Sequence, residues 1–474
     1  MANRPQDAAV IQQRLSDGRG LLADGGVSIS NIFTGDAPKA FLTMSEVPAA
    51  RASGKGPSRG YATFFVNPYG LARSLVLSAG EMLKERHQGR RQRRRDVLPR
   101  IERHGSYILL RAVTNVLLRD LNAGLIVEQM MAGAPSVFCD FTDYDEIAHH
   151  AGPTRPESMA SLEGLDHLIG VLQSASEQAP RPYEFVVLSD HGQSQGATFR
   201  QRHGQSLEEL VRELVKGGTV AAATDVTETA GPANTLLSQV GQQGGATGTV
   251  VRRTLRGRSV GEEVHLEPEP AAGAQAPGRE AAEADAVVIA SGNLAMVYLT
   301  RFPGRMTREE IDAAYPGLVD ALVAHPGIGD VVVDTAGHGH VALGRGGARY
   351  LDEDRVEGAD PVEPFGERAP REVRRHARLA HVGDLVINSP LDRATEEVAA
   401  YEELVGNHGG LGGWQTQAVL LHPAAWHLDG GGPLEGADAV HRQLVRWLRR
   451  LGHRAGIEDE APVPAQVLEH PGRP

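Results

Sequence analysis

The run Val186-Val187-Leu188-Ser189-Asp190-His191-Gly192 ends β-branched and leucine residues abruptly in an adjacent carboxylate and imidazole, with Gly192 and Gly196 letting the backbone close in. An oxygen and a nitrogen donor at a strand exit are ligands for a divalent cation. Two further groups have the same chemistry: Asp145-x-x-x-His149, after the strand-like residues 136–141, and His408, within the glycine-rich loop 405–413. Two cations a few ångströms apart need roughly six or seven such donors. Asp145, His149, Asp190, His191 and His408 would supply most of that set, and their O/N chemistry suits zinc, with manganese as the alternative. His338 and His340, in a glycine-flanked hairpin turn, are expected to face solvent. His150 is expected to point away from the cations and to support its neighbour His149.

These donors need a scaffold. Met159, Leu162, Leu165, Leu168, Ile169 and Leu172 recur at helical spacing, predicting a helix of about five turns between strands at 136–141 and 185–188. A crossover of that length makes the two strands parallel and puts both Asp/His groups at the carboxyl edge of one sheet, where ligands of open α/β sheets bind. Upstream, residues 8–22 read as a helix, 27–33 as a strand with Thr34-Gly35-Asp36 at its exit, 45–60 as a loop, and 61–125 as long helical pieces. Downstream, 207–215 reads as a helix, 286–290 and 294–299 as strands around Ser291-Gly292-Asn293, and Thr307-Arg308-Glu309-Glu310 as a capping box opening a helix to Val323. Residues 331–333 and 341–343 form a hairpin, 384–387 and 418–421 are strands, and 440–451 is a last amphipathic helix. The fold class is α/β, a mostly parallel sheet flanked by helices, with an inserted α+β sub-domain. The expected divisions are 1–218 and 381–455 for the main domain, 219–285 for a low-complexity insertion, 286–380 for the sub-domain and 456–474 for a disordered tail.

Composition narrows the alternatives. At 474 residues the chain exceeds one usual hydrophobic core. Sixty acidic against 48 basic residues give a net charge of -12, which argues against a general nucleic-acid or anionic-membrane binder. The arginine run at 86–95 has no interleaved aromatic residue and reads as a solvated helix face. Cys139 is the only cysteine, so disulfides within the chain and thiolate clusters are excluded. No apolar run reaches the roughly 18 residues that span a bilayer, and residues 1–20 lack a signal-peptide core, which leads to the expectation of a soluble cytoplasmic chain. There is no GxGxxG or P-loop pattern.

Asp145-x-x-x-His149 with Gly152-Pro153, then Ser189-Asp190-His191-Gly192 with Gly196, then His408 before glycines, together resemble the alkaline phosphatase superfamily, nearest to its type I phosphodiesterase/nucleotide pyrophosphatase branch. The resemblance runs from about residue 24 to the last helix, apart from the insertion. It implies a phosphate-ester substrate and two metals, one on Asp145, His149 and His408, the other partly on Asp190 and His191. It also implies an Asp-Gly after a first strand and a Thr or Ser nucleophile one helix later. Asp24-Gly25 lies only ten residues before Thr34, too close for that arrangement, and residues 21–36 resemble the family's next helix and strand. The expectation is therefore that the first strand and nucleophile lie upstream of residue 1, that any membrane association would come through such an upstream segment, and that Thr34 is a weak substitute. The rivals are a non-catalytic module that keeps the fold, and a sulfatase or phosphomutase of the same superfamily.

Overall fold

The computed structural model describes residues 4–52, 68–103, 106–215, 218–222, 236–237, 259–260, 263–264 and 284–454. Most of the 219–285 insertion and the tail beyond 454 lie outside the described residues.

The chain opens on α1 (Pro5–Leu15), which has proline in its first turn and is shorter than the expected 8–22 because Ser16 leaves the helical conformation at ψ 129°. Next come β1 (Val27–Ile29), β2 (Lys39–Phe41) and α2 (Val47–Ala52), the last a helix where a loop was expected. Helices α3 (Pro68–Arg94), α4 (Ser106–Ala112) and, after a π-helical turn at Val113–Leu118, α5 (Arg119–Met131) confirm the long helical stretch. They lead into β3 (Val137–Cys139). β1 pairs in parallel with both β2 and β3, giving a small sheet of order β2-β1-β3. Val27, Ile29, Leu118, Leu121 and Leu125 bury its core.

Helices α6 (Asp143–Ala151) and α7 (Pro156–Ser176) follow, then the two-residue strands β4 (Val187–Leu188) and β5 (Ser194–Gln195). β4 does not pair with β3, as a simple parallel unit would require; it pairs antiparallel with β17 (Leu420–Leu421). After α8 (Phe199–His203) and α9 (Leu207–Leu214) come β6 (Val220–Ala222) and the short ladder of β7 (Ser259–Val260) with β8 (Glu263–Val264).

The largest sheet has the order β14-β13-β12-β11-β15-β10-β9-β6. Its strands are β9 (Ala286–Ser291), β10 (Leu294–Tyr298), β11 (Asp330–Thr335), β12 (Gly339–Gly344), β13 (Gly347–Tyr350), β14 (Arg355–Gly358) and β15 (Leu385–Asn388), with β6 at one edge. Contrary to the expected mostly parallel sheet, every pair except β6–β9 is antiparallel. The reason is connection length: the turns between β9 and β10, β11 and β12, and β12 and β13 are far too short for a parallel crossover of a dozen or more residues. β15 and β6 join this sheet from outside 286–380, so the sheet crosses the expected sub-domain boundaries. Both faces are covered, one by Phe199, Leu207, Leu318 and Leu322 and the other by Val362, Ala369 and Val373.

The expected helix from Thr307 to Val323 has its capping box but divides into α10 (Arg308–Ala314) and α11 (Leu318–Ala324). Pro316 cannot donate within a helix, and Gly317 takes φ 83°. Helix α12 (Ala369–Ala377), the two-residue β16 (Gly406–Asn407) and α13 (Ala437–Arg450) complete the described elements. Among the described residues no helix is long and apolar enough to cross a membrane.

Candidate metal centre

The Asp145/His149 pair is built on a helix, where the sequence suggested a loop. Asp143, Asp145 and Glu146 place negative charge in the first turn of α6, against the helix dipole, and Gly152 ends it at φ 105°. Four residues along a helix return to the same face, so Asp145 Oδ2 and His149 Nε2 lie 3.3 Å apart. His149 Nδ1 donates to the Gly406 carbonyl at 2.8 Å, which points Nε2 into the site.

That contact needs β16 pressed against α6. A Cβ on Gly406 would strike the Ala148 carbonyl, so only glycine allows the approach. The segment is threaded between two partners: Val405 N–H donates to the His149 carbonyl at 2.8 Å, and Gly406 and Asn407 pair antiparallel with Gln195 and Ser194 of β5. His408 thereby arrives with its Nε2 3.2 Å from His149 Nε2 and 3.9 Å from Asp145 Oδ1.

His191 reaches the same point from the turn between β4 and β5. Gly192 is wedged under the backbone carbonyls of Trp414 and Gln417, and its N–H donates to Gln415 O at 2.9 Å. The His191 ring stacks on His408 with centroids 3.6 Å apart. One ligating atom each from Asp145, His191 and His408 falls within 4.8 Å of the others. Asp190 stands at the rim: its side chain is 85% exposed, and its Oδ1 accepts the His191 backbone N–H at 3.1 Å.

The electrostatics follow from this crowding. Burial would raise the Asp145 carboxyl, but the charge and hydrogen bond of His149, then His408 and His191, hold it below the usual carboxylate range. Burial would lower His149, but Asp145, the Gly406 carbonyl and Glu146 push it up to about 10. His408 is pushed down to about 3 by burial and then by its cationic neighbour His149. Two imidazole nitrogens 3.2 Å apart beside a carboxylate must share a proton or a cation between them. Asp145, His191 and His408, one carboxylate and two imidazoles, are a group that could hold a divalent cation, and His149 Nε2 lies 3.2 Å from His408 Nε2. The buried Asn407 amide, flanked by the residues that hold His149 and supply His408, has no hydrogen-bond partner among the described residues for either polar atom.

Four of the five expected donors therefore meet, and Asp190 borders them. Thr34 is buried; its hydroxyl accepts from Asp36 N–H at 3.2 Å and its N–H donates to Gln12 Oε1 at 2.8 Å. Among the described residues no hydrogen bond joins Thr34 to the cluster. Asp24 precedes β1, at the opposite edge of the small sheet from Asp140, with Arg454 Nε 4.0 Å away. His150 stacks on Tyr107 and bonds the Glu146 carbonyl oxygen. His338 is exposed as expected, but His340 is not: it is half-buried, with Nδ1 2.8 Å from Asp352.

Two residues were not singled out from the sequence. Gln193 donates to Asp145 Oδ1, and the only signal was its place directly after Asp190-His191-Gly192. Asp140, at the exit of β3, is pushed up to about 7 by the protein around it and then by Asp190, Asp145 and Asp143.

Residues 121–342 match the family described as type I phosphodiesterase / nucleotide pyrophosphatase. That stretch belongs to the alkaline phosphatase-like superfamily. The phosphodiesterase-like stretch contains Asp145, His149, Asp190 and His191, whereas His408 lies beyond it and joins through β16. Searches of curated proteins and of solved structures found no match.

Proposed function

We propose that this chain is a metal-dependent phosphoric ester hydrolase of the phosphodiesterase/nucleotide pyrophosphatase type, with Asp145, His149, His191 and His408 holding divalent cations and Asp190 completing the set at the rim. The observation that carries this reading is the 3.2 Å approach of the His149 and His408 Nε2 atoms beside the Asp145 carboxylate. Cations bound there would polarise phosphoryl oxygens and acidify a hydroxyl nucleophile. The chain's own part is orientation: the Gly406 carbonyl sets the His149 tautomer, Gln193 holds Asp145, and His191 stacks against His408. The donors favour zinc, with manganese as the alternative.

Elemental analysis combined with hydrolysis of bis-p-nitrophenyl phosphate tests this. The expected result is about two cations per chain and turnover that falls by orders of magnitude in His149→Ala. A preference for sulfate esters or phosphomonoesters would move the assignment to the sulfatase or phosphomutase branch. A second reading, a non-catalytic metal-binding or interaction module, is favoured by the Thr34 hydroxyl being engaged with Asp36. Bound metal without turnover supports that reading, and loss of turnover in Thr34→Ala, with metal retained, refutes it.

A further inference from the structure

Helix α3 is inverted relative to an ordinary surface helix. The side it turns to the protein is polar: Ser74, Ser78, Glu85 and Gln92 are buried, and Glu85 is paired with the buried Arg111 and Arg103. The side it turns outward carries Val76 (71% exposed), Leu77 (42%) and Leu83 (69%). Val76, Gly80, Leu83, His87, Arg90 and Arg94 recur every three or four residues, so they form one stripe along the helix. The apolar residues occupy its first half and His87, Arg90 and Arg94 its second; these three, with Arg91 and Arg95 beside them, line an open cavity of about 490 Å³. Glu81 and Glu85, the acidic residues of the helix, both pair with Arg111 and do not face outward with the stripe.

We propose that this outward face docks on an anionic phospholipid surface, with Val76, Leu77 and Leu83 entering the boundary between headgroups and acyl chains and the arginines holding lipid phosphates. Three observations favour lipid over other polyanions. Half of the stripe is apolar, which a lipid surface covers and a phosphate backbone does not. No aromatic residue stands among the arginines to stack on a base. The helix is 27 residues long, about 40 Å, within the length of amphipathic helices that rest in a membrane plane. The chain's net charge of -12 would repel the rest of the molecule from such a surface, so α3 also fixes which side approaches. The arginine run, read from the sequence as a solvated face, thus acquires a ligand class. This proposal is independent of catalysis.

The test is vesicle flotation of the full chain, with phosphatidylcholine alone and with equal parts phosphatidylcholine and phosphatidylglycerol. Partitioning is expected to be at least about tenfold greater on anionic vesicles and to weaken with salt. Arg90→Gln, Arg91→Gln, Arg94→Gln and Arg95→Gln combined should abolish it, and Val76→Ser with Leu83→Ser should reduce it several-fold without altering charge. Far-UV circular dichroism checks that these variants fold. In Leu83→Trp, indole fluorescence should shift to the blue on anionic vesicles. Equal partitioning on both vesicles, no partitioning, or tighter capture by a single-stranded oligonucleotide that ignores the Val76 and Leu83 changes would each overturn the proposal.

Discussion

At the scale of single residues, the proton on His149 is the most informative charge in the centre. Raised to about 10, it keeps the imidazole cationic at neutral pH, and a divalent cation must displace it to use Nε2. Metal uptake should therefore release about one proton, with apparent affinity rising roughly tenfold per pH unit until His149 deprotonates. Calorimetry in buffers of different ionisation enthalpy measures this, and an affinity indifferent to pH would contradict the assignment of His149. Gly406 gives a steric prediction. In Gly406→Ala the added Cβ meets the Ala148 carbonyl, pushing β16 off α6 and breaking the His149 contact. The expected cost is about 1–3 kcal/mol of stability, together with metal affinity reduced by at least about tenfold.

At the scale of elements, buried charge deserves the same accounting. Asp330 on β11 is fully buried, with Oδ1 accepting from Asn388 and Oδ2 without a partner among the described residues. Burial pushes its carboxyl from 3.8 up to about 7. The native state therefore binds the proton more tightly than the unfolded chain. That stabilisation is complete below about pH 4 and is lost as pH rises through about 7, a change on the order of a few kcal/mol. Asp330→Asn, which removes the ionisation, should raise the melting temperature at pH 8 more than at pH 5.

The same elements show what the sequence could and could not reveal. Asp145 and His149 were readable as partners from the Asp-x-x-x-His motif, though not as residues of a helix, and the Thr307 capping box because both reciprocal partners are local. Sheet direction was not readable: the turns at 291–294 and 335–339 announce hairpins, but β15 enters between β10 and β11 through contacts absent from local pattern. Gln193 was missed because its role depends on α6 lying alongside it. The reversed polarity of α3 was missed because a periodic stripe tells which residues share a side and not which side faces inward.

At the scale of the molecule, the centre ties distant stretches of chain together. α6, the turn after β4, and β16 each supply donors, so cation binding should stabilise the whole fold and not one segment. At a free cation concentration of 100 times Kd the gain is about 2.7 kcal/mol. Differential scanning calorimetry before and after chelation should show one transition moving down. A transition that splits would mean that the two regions melt separately and that the centre does not bridge them.

His149 and His408 are separated by 259 positions, yet their nitrogens touch. Synthesis is vectorial, so α6 and the β4–β5 turn emerge long before the two-residue strand that delivers the last imidazole. Until then the nascent chain can offer a cation only a partial ligand set. The centre therefore closes late: a chain interrupted before residue 408 carries Asp145, His149 and His191 but lacks the fourth donor.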